Sequence, residues 1–236
     1  MSEASHPTDG PVVAHHFETW EQHEESCTMG MWLFLAQEVM FFGGMFCCYA
    51  VYRYLYPEAW FEGSSALDWK VGAFNTSFLL LSSFTMAMGV YYNQTGRINK
   101  LFGVMGMLWA TLFLGIIFVA VKLQFEWLPK YQEGVVPGTL WGPHGHHYGQ
   151  LADFDGPGGQ GALQLFFWLY FVMTGMHALH MLIGFGIIFW LMIKCLKGNF
   201  NEHSYLHILF FGLYWHFVDI VWIFLYPMFY LVNPPH

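Results

Sequence analysis

Five ionisable side chains stand inside long apolar runs, where an ordinary water-soluble protein would not place them: Glu38, His177, His180, His216 and Asp219. An ionised group in the bilayer interior costs roughly 2.5–3.5 kcal/mol on insertion scales, so each one needs a function or a partner. Glu38 lies in Phe34-Leu35-Ala36-Gln37-Glu38-Val39-Met40-Phe41-Phe42-Gly43-Gly44. That is about ten residues into its run, or about 15 Å deep at helical rise. A carboxyl at this depth suits proton handling; the alternative is a hydrogen-bonded group that holds helices together. His177 is three residues from both Thr174 and His180, giving a polar ridge that Gly184 continues. His216 and Asp219 are also three apart, with Trp215 and Trp222 beside them. Asp219 requires a partner, for which His216, His177 and His180 are the candidates.

A second set reads as helix packing. Asn75 and Ser82 are seven residues apart, as are Thr76 and Ser83, so each pair lies on one stripe of a helix. Such residues form hydrogen bonds between membrane helices. Lys122 and Glu126 have the i, i+4 spacing of an ion pair, expected here at the surface or the membrane interface. No metal ligation is assigned. Axial haem ligation needs facing histidines at one depth, and only His177 or His180 with His216 could supply them. The loop cluster His144-Gly145-His146-His147 lacks a cysteine or acidic ligand at a closing spacing and reads as solvated. Cys27, Cys47, Cys48 and Cys195 form no CxxC pair and are expected to be small buried hydrophobes.

The elements that must hold these groups follow from composition. Only 10% of the 236 residues are charged, 56% are hydrophobic and 21% aromatic, with a mean hydropathy of +0.40. Soluble domains carry about 25% charged residues, so lipid is the solvent for much of this chain. Five apolar runs, at 28–54, 69–92, 101–123, 163–194 and 204–232, each exceed the ~20 residues that cross a hydrocarbon core as a helix. None shows the alternation of barrel strands. The fold class is therefore all-α, an integral membrane bundle of five transmembrane helices. Residues 1–27 hold six acidic residues and no Lys or Arg, and read as an acidic soluble tail, not a signal or transit peptide. Residues 28–236 form one five-helix domain. Tyr56 to Asp68 reads as a short polar loop, 93–100 as a turn, and 124–162 as a long loop rich in Gly, Pro and His. Basic residues divide four to four between the two sides. The acids Glu58, Glu62 and Asp68 then favour an inside N-terminus and an outside C-terminus. A net charge of −8 speaks against a nucleic-acid partner.

Several of these segments carry a resemblance. Gly212-Leu213-Tyr214-Trp215-His216-Phe217-Val218-Asp219-Ile220-Val221-Trp222 resembles the last-helix signature of subunit III of haem-copper cytochrome c oxidases. Thr174-Gly175-Met176-His177-Ala178-Leu179-His180 is similar to that family's T-G-x-H-x-L-H element, and Gln37-Glu38-Val39-Met40-Phe41-Phe42-Gly43 to its S-E-V-M-F-F element. Phe74-Asn75-Thr76, Leu80-Leu81-Ser82-Ser83 and Phe125-Glu126-Trp127 follow in the same order. The resemblance covers about residues 28–232 and suggests the five-helix bacterial form. It implies an accessory subunit of a proton-pumping terminal oxidase, packed on subunit I, with subunit II nearby and the haems and copper in those partners. It implies no cofactor in this chain, and it admits a bound phospholipid and membership of a respiratory supercomplex. The family's membrane glutamate falls on Glu38, and its last-helix His and Asp on His216 and Asp219. Leu209 stands where many members have Glu, and Gln37 where they have Ser. Subunit III of a quinol oxidase and a nitric-oxide-reductase accessory protein are the alternatives within the superfamily. A stand-alone transporter is the alternative outside it, but no internal repeat or mid-span Pro supports one. The expected location is the bacterial inner membrane.

Overall fold

Hydrocarbon offers no hydrogen-bond partner to the backbone, so a spanning chain must satisfy its own N–H and C=O groups. Helices do this locally. In the computed structural model, which describes residues 19–95, 103–132, 134–136, 154–197 and 205–232, five helices are long and apolar enough to cross a membrane. There is no strand among the described residues. The segments before residue 19, Arg97 and Lys100, and the His144, His146 and His147 cluster lie outside them.

Helix α1 spans Trp20–Leu55. It starts at Trp20, not at 28, because Thr19 caps it by accepting the Gln22 amide at 3.2 Å. Its 36 residues reach about 54 Å, well beyond a ~30 Å hydrocarbon core. The expected polar loop after it is instead mostly helix: α2 covers Pro57–Ser65. Pro57 occupies the first helical turn, where a missing N–H costs nothing. Helix α3, Trp69–Gln94, opens on Asp68, whose side chain accepts from the Lys70 and Val71 amides. Helix α4, Val104–Val121, does not stop near 123; it runs through a π-helical stretch, Lys122–Trp127, into α5, Leu128–Gln132. Helices α6, Gly159–Leu196, and α7, Tyr205–Tyr230, complete the bundle.

Helix α7 is central and α1 peripheral: 56% of the most apolar stretch of α7 is buried, against 6% for α1. Helix α3 packs most closely on α4 and α7. The core is aromatic, with Trp60, Trp215, Trp222, Tyr170 and Phe166 essentially inaccessible. Met40, Phe84, Phe113, Phe125 and Phe224 point outward, the inverse of a soluble surface and the face lipid would wet. Cys47 and Cys48 are exposed on α1, so only Cys195 is the buried hydrophobe expected of the cysteines. Cys27 is intermediate.

Close approach of α6 and α7 depends on Gly184, where an added Cβ would lie 2.6 Å from the Trp215 ring. Trp215 is fully buried and has nowhere to move. Gly184→Ala should therefore destabilise the fold by about 1–3 kcal/mol, the cost of overpacking. Gly43→Ala, where a Cβ meets nothing within 4 Å, should be near neutral. Thermal unfolding in mild detergent measures both; equal midpoints for the two variants would remove the tight-packing account.

Candidate functional site

Glu38 of α1 meets His180 of α6, with Oε2 3.0 Å from Nε2. The other ring nitrogen, Nδ1, lies 2.7 Å from the Met176 carbonyl oxygen one turn earlier. A carbonyl only accepts, so Nδ1 carries a hydrogen and donates it. In a neutral imidazole, Nε2 is then a bare acceptor. The hydrogen shared with Glu38 must come either from a protonated carboxyl or from a doubly protonated ring. In both cases the contact holds one proton and the pair is neutral overall. Tyr214 donates to the His180 carbonyl at 2.8 Å, and the Phe42 ring packs 5.2 Å from the imidazole. The pair borders a groove of about 470 Å³ between α1, α6 and α7, walled by Phe34, Ile183, Ile187 and Phe210 and reaching His207. Beyond it, Lys194 lies 3.3 Å from His207 and over the Trp190 ring.

The packing stripe of α3 makes specific bonds. Asn75 donates to the Phe118 carbonyl at 3.2 Å and Ser82 to the Thr111 carbonyl at 3.3 Å, both across to α4. Ser82 also accepts from the Trp215 indole at 3.0 Å, and Thr76 from that of Trp222 at 3.0 Å, which ties α3 to α7. Ser83 sits 2.7 Å from His216 Nδ1. Asp219 takes none of the partners expected for it. His180 is engaged by Glu38 and His216 by Ser83. Neither carboxyl oxygen of Asp219 has a partner at bonding geometry; the Ser83 hydroxyl is the polar group beside it. His177, 1% exposed, is likewise without a partner at either ring nitrogen and packs against Trp222 and Phe118.

Lys122 and Glu126 differ most from expectation. Expected at the surface or the interface, their side chains are only 5% and 2% exposed. The cause is the π-helical stretch, which changes the facing of successive residues and brings both side chains inward. Lys122 spends its three donors on Glu126, Tyr230 and, at 3.1 Å, Tyr170. Glu126 Oε2 in turn accepts from Lys122, Tyr230 and, at 2.8 Å, Tyr170. The ammonium also lies 4.7 Å from the centre of the Trp222 ring. Sequence reading paired Lys122 with Glu126 by their spacing but missed the burial of the pair and its partners Tyr170 and Tyr230, which come from α6 and α7 and leave no spacing signal.

Comparisons with known proteins agree on one group. A family model described as cytochrome c oxidase subunit III matches residues 162–233. The chain is 32% identical over 223 residues to an Aeropyrum pernix protein named heme-copper oxidase subunit I+III, covering 92% of this chain and 24% of that one. It thus spans about a quarter of that longer relative. It is 28% identical over 229 residues to a cytochrome c oxidase subunit 3 of a Synechocystis species, covering 95% of this chain and 82% of the relative. It is 26% identical over 209 residues to a probable quinol oxidase subunit 3 of Staphylococcus haemolyticus, covering 87% and 88%.

Breaking a buried ion pair costs more than replacing it whole. Lys122→Met should lower stability by about 3–5 kcal/mol, since it strands the Glu126 carboxylate. The double variant Lys122→Met/Glu126→Leu should recover part of that loss. Thermal denaturation of the four members of the cycle tests this, and strictly additive losses would refute a coupled pair.

Proposed function

We propose, from the premise that this chain belongs to the cytochrome c oxidase subunit III family, that it is the accessory subunit of a proton-pumping terminal oxidase that takes electrons from cytochrome c. The family makes it an oxidase subunit III, a multi-pass membrane protein of a multi-subunit complex. In the proposed role it carries no redox centre. The haems and copper belong to subunits I and II, and this chain supports the stability of subunit I and its proton uptake. The printed name of the Aeropyrum pernix relative, which joins subunits I and III, supports subunit I as the neighbour. The proposed location is the bacterial inner membrane, with the N-terminus cytoplasmic and the C-terminus outside.

The observation that carries the proton role is the Glu38–His180 contact. It retains one proton whichever group holds it, so that proton can shift between carboxyl and imidazole without losing the hydrogen bond. Side-chain exposures of 13% for Glu38 and 9% for His180 leave the pair within reach of the groove. Asn75, Ser82, Thr76, Ser83, His216 and the Lys122–Glu126 cluster serve instead to hold the helices in place. Relatives named quinol oxidase subunit 3 keep a quinol donor as the second reading.

Tagged chain purified in mild detergent should bring down haem-bearing subunits, and the complex should oxidise cytochrome c in preference to quinol. The chain separated from its partners should show no haem absorbance; a haem band would refute the accessory role. Glu38→Gln should preserve the contact, because its amide can donate to Nε2 of neutral His180, yet it has no acidic proton to release. Stability should change by less than about 1 kcal/mol, whereas Glu38→Leu, which strands Nε2, should cost about 1–3 kcal/mol. In steady-state assays Glu38→Gln should shorten catalytic lifetime and alter proton uptake. If pumping, lifetime and pH profile all match the wild type, the carboxyl is structural.

A further inference from the structure

Three buried polar groups converge on one small cavity next to the π-helical stretch. Its lining includes Trp127 on that stretch, Thr174, His177 and Ala178 on α6, and Trp222 on α7. It offers about 10 Å³ to the centre of a water molecule. That matches the ~10–15 Å³ that one water needs. His177 is 1% exposed and has no partner at Nδ1 or Nε2. A neutral imidazole carries one donor and one acceptor, so both functions are unmet. The Trp127 indole N–H is buried beside the Tyr170 hydroxyl but lacks bonding geometry to any group. Thr174 donates to the Tyr170 carbonyl at 2.7 Å, which leaves its oxygen lone pairs able to accept. Lys122 also lines the cavity, but its three donors are already committed.

We propose that this cavity is a binding site for a single ordered water that bridges Trp127 to His177 and Thr174. The water accepts from the Trp127 N–H. It donates one hydrogen to an imidazole nitrogen of His177 and the other to the Thr174 oxygen. Three bonds are the usual complement of a buried water, and each goes to a group with no better partner. The site extends the Lys122–Glu126–Tyr170–Tyr230 cluster toward mid-membrane. It also gives His177 a task separate from that of His180 three residues later. A direct imidazole contact does not serve as well, because the ring is held between Trp222 at 5.1 Å and Phe118 at 5.8 Å.

The test is a density map of the intact complex, purified with its partner subunits, at a resolution where ordered waters are visible. One peak within hydrogen-bond distance of His177, Trp127 and Thr174 is expected. A dry site, or both ring nitrogens bonded directly to protein groups, would overturn the proposal. A second arm uses Ala178, which lines the cavity. Ala178→Leu should fill the cavity, remove the peak and lower the thermal midpoint of the complex by several degrees. Ala178→Ser, which leaves room, should keep both. Equal midpoints for the two variants also count against the site. If Ala178→Leu fails to assemble, the wild-type map alone decides.

Discussion

Hydrocarbon satisfies no polar group, and the internal arrangement of this bundle follows from that constraint. Every donor and acceptor within the spans must find a partner inside the protein or bear a cost of several kcal/mol. The backbone meets this demand by becoming helical. The side chains meet it by converging. Asn75 and Ser82 reach main-chain carbonyls of α4, while Thr76 and Ser82 receive indole hydrogens from α7. These short bonds explain why α3, α4 and α7 form the compact half of the bundle. They replace the hydrophobic drive that water would otherwise supply between helices.

Two ionisable pairs answer the same constraint in opposite ways. The Lys122 ammonium makes three donor contacts and shares Glu126 Oε2 with two tyrosine hydroxyls contributed by α6 and α7. Nothing in that cluster can move without stranding a charge, so it fastens the three elements that meet there. Glu38 makes one hydrogen bond to His180 beside a groove of about 470 Å³. It sits on α1, the least buried span. A proton-handling group needs this looser setting, because a carboxylate oxygen locked by three donors has no route for exchange. The number of bonds, three on Glu126 Oε2 against one on Glu38 Oε2, therefore separates the structural pair from the candidate functional one, although both are ionisable pairs inside the membrane.

The sequence made the spans legible because twenty apolar residues in a row have few other uses. It also exposed Glu38, His180, His216 and Asp219, since an ionisable residue in such a run needs explaining. It did not reveal the pairing. Helical spacing places a residue on a face, but the partner across the interface depends on helix rotation and rotamer. Asp219 thus looked equally close to three histidines, two of which have other partners and one of which has none. The π-helical stretch was out of reach for a related reason. A 3.6-residue period places Lys122 and Glu126 near the end of the third span, and only the altered hydrogen-bond ladder turns them inward. Helix α2 was missed because polar residues after Pro57 read as a loop, although Pro at the first turn is also a helix-start signal.

The Glu38–His180 pair is assembled wholly within this chain. The carboxyl, His180 and the Met176 carbonyl that fixes the ring tautomer all come from α1 and α6. The pair's chemistry is defined by one shared proton and involves no electron carrier. In the proposed role, such a pair would serve a complex supplied by either electron donor, because it takes up no electron itself. The constraint on this chain is to hold that one-proton contact at the edge of a bundle whose other buried polar groups, Asp219 and His177 excepted, are tied mainly into helix-to-helix bonds.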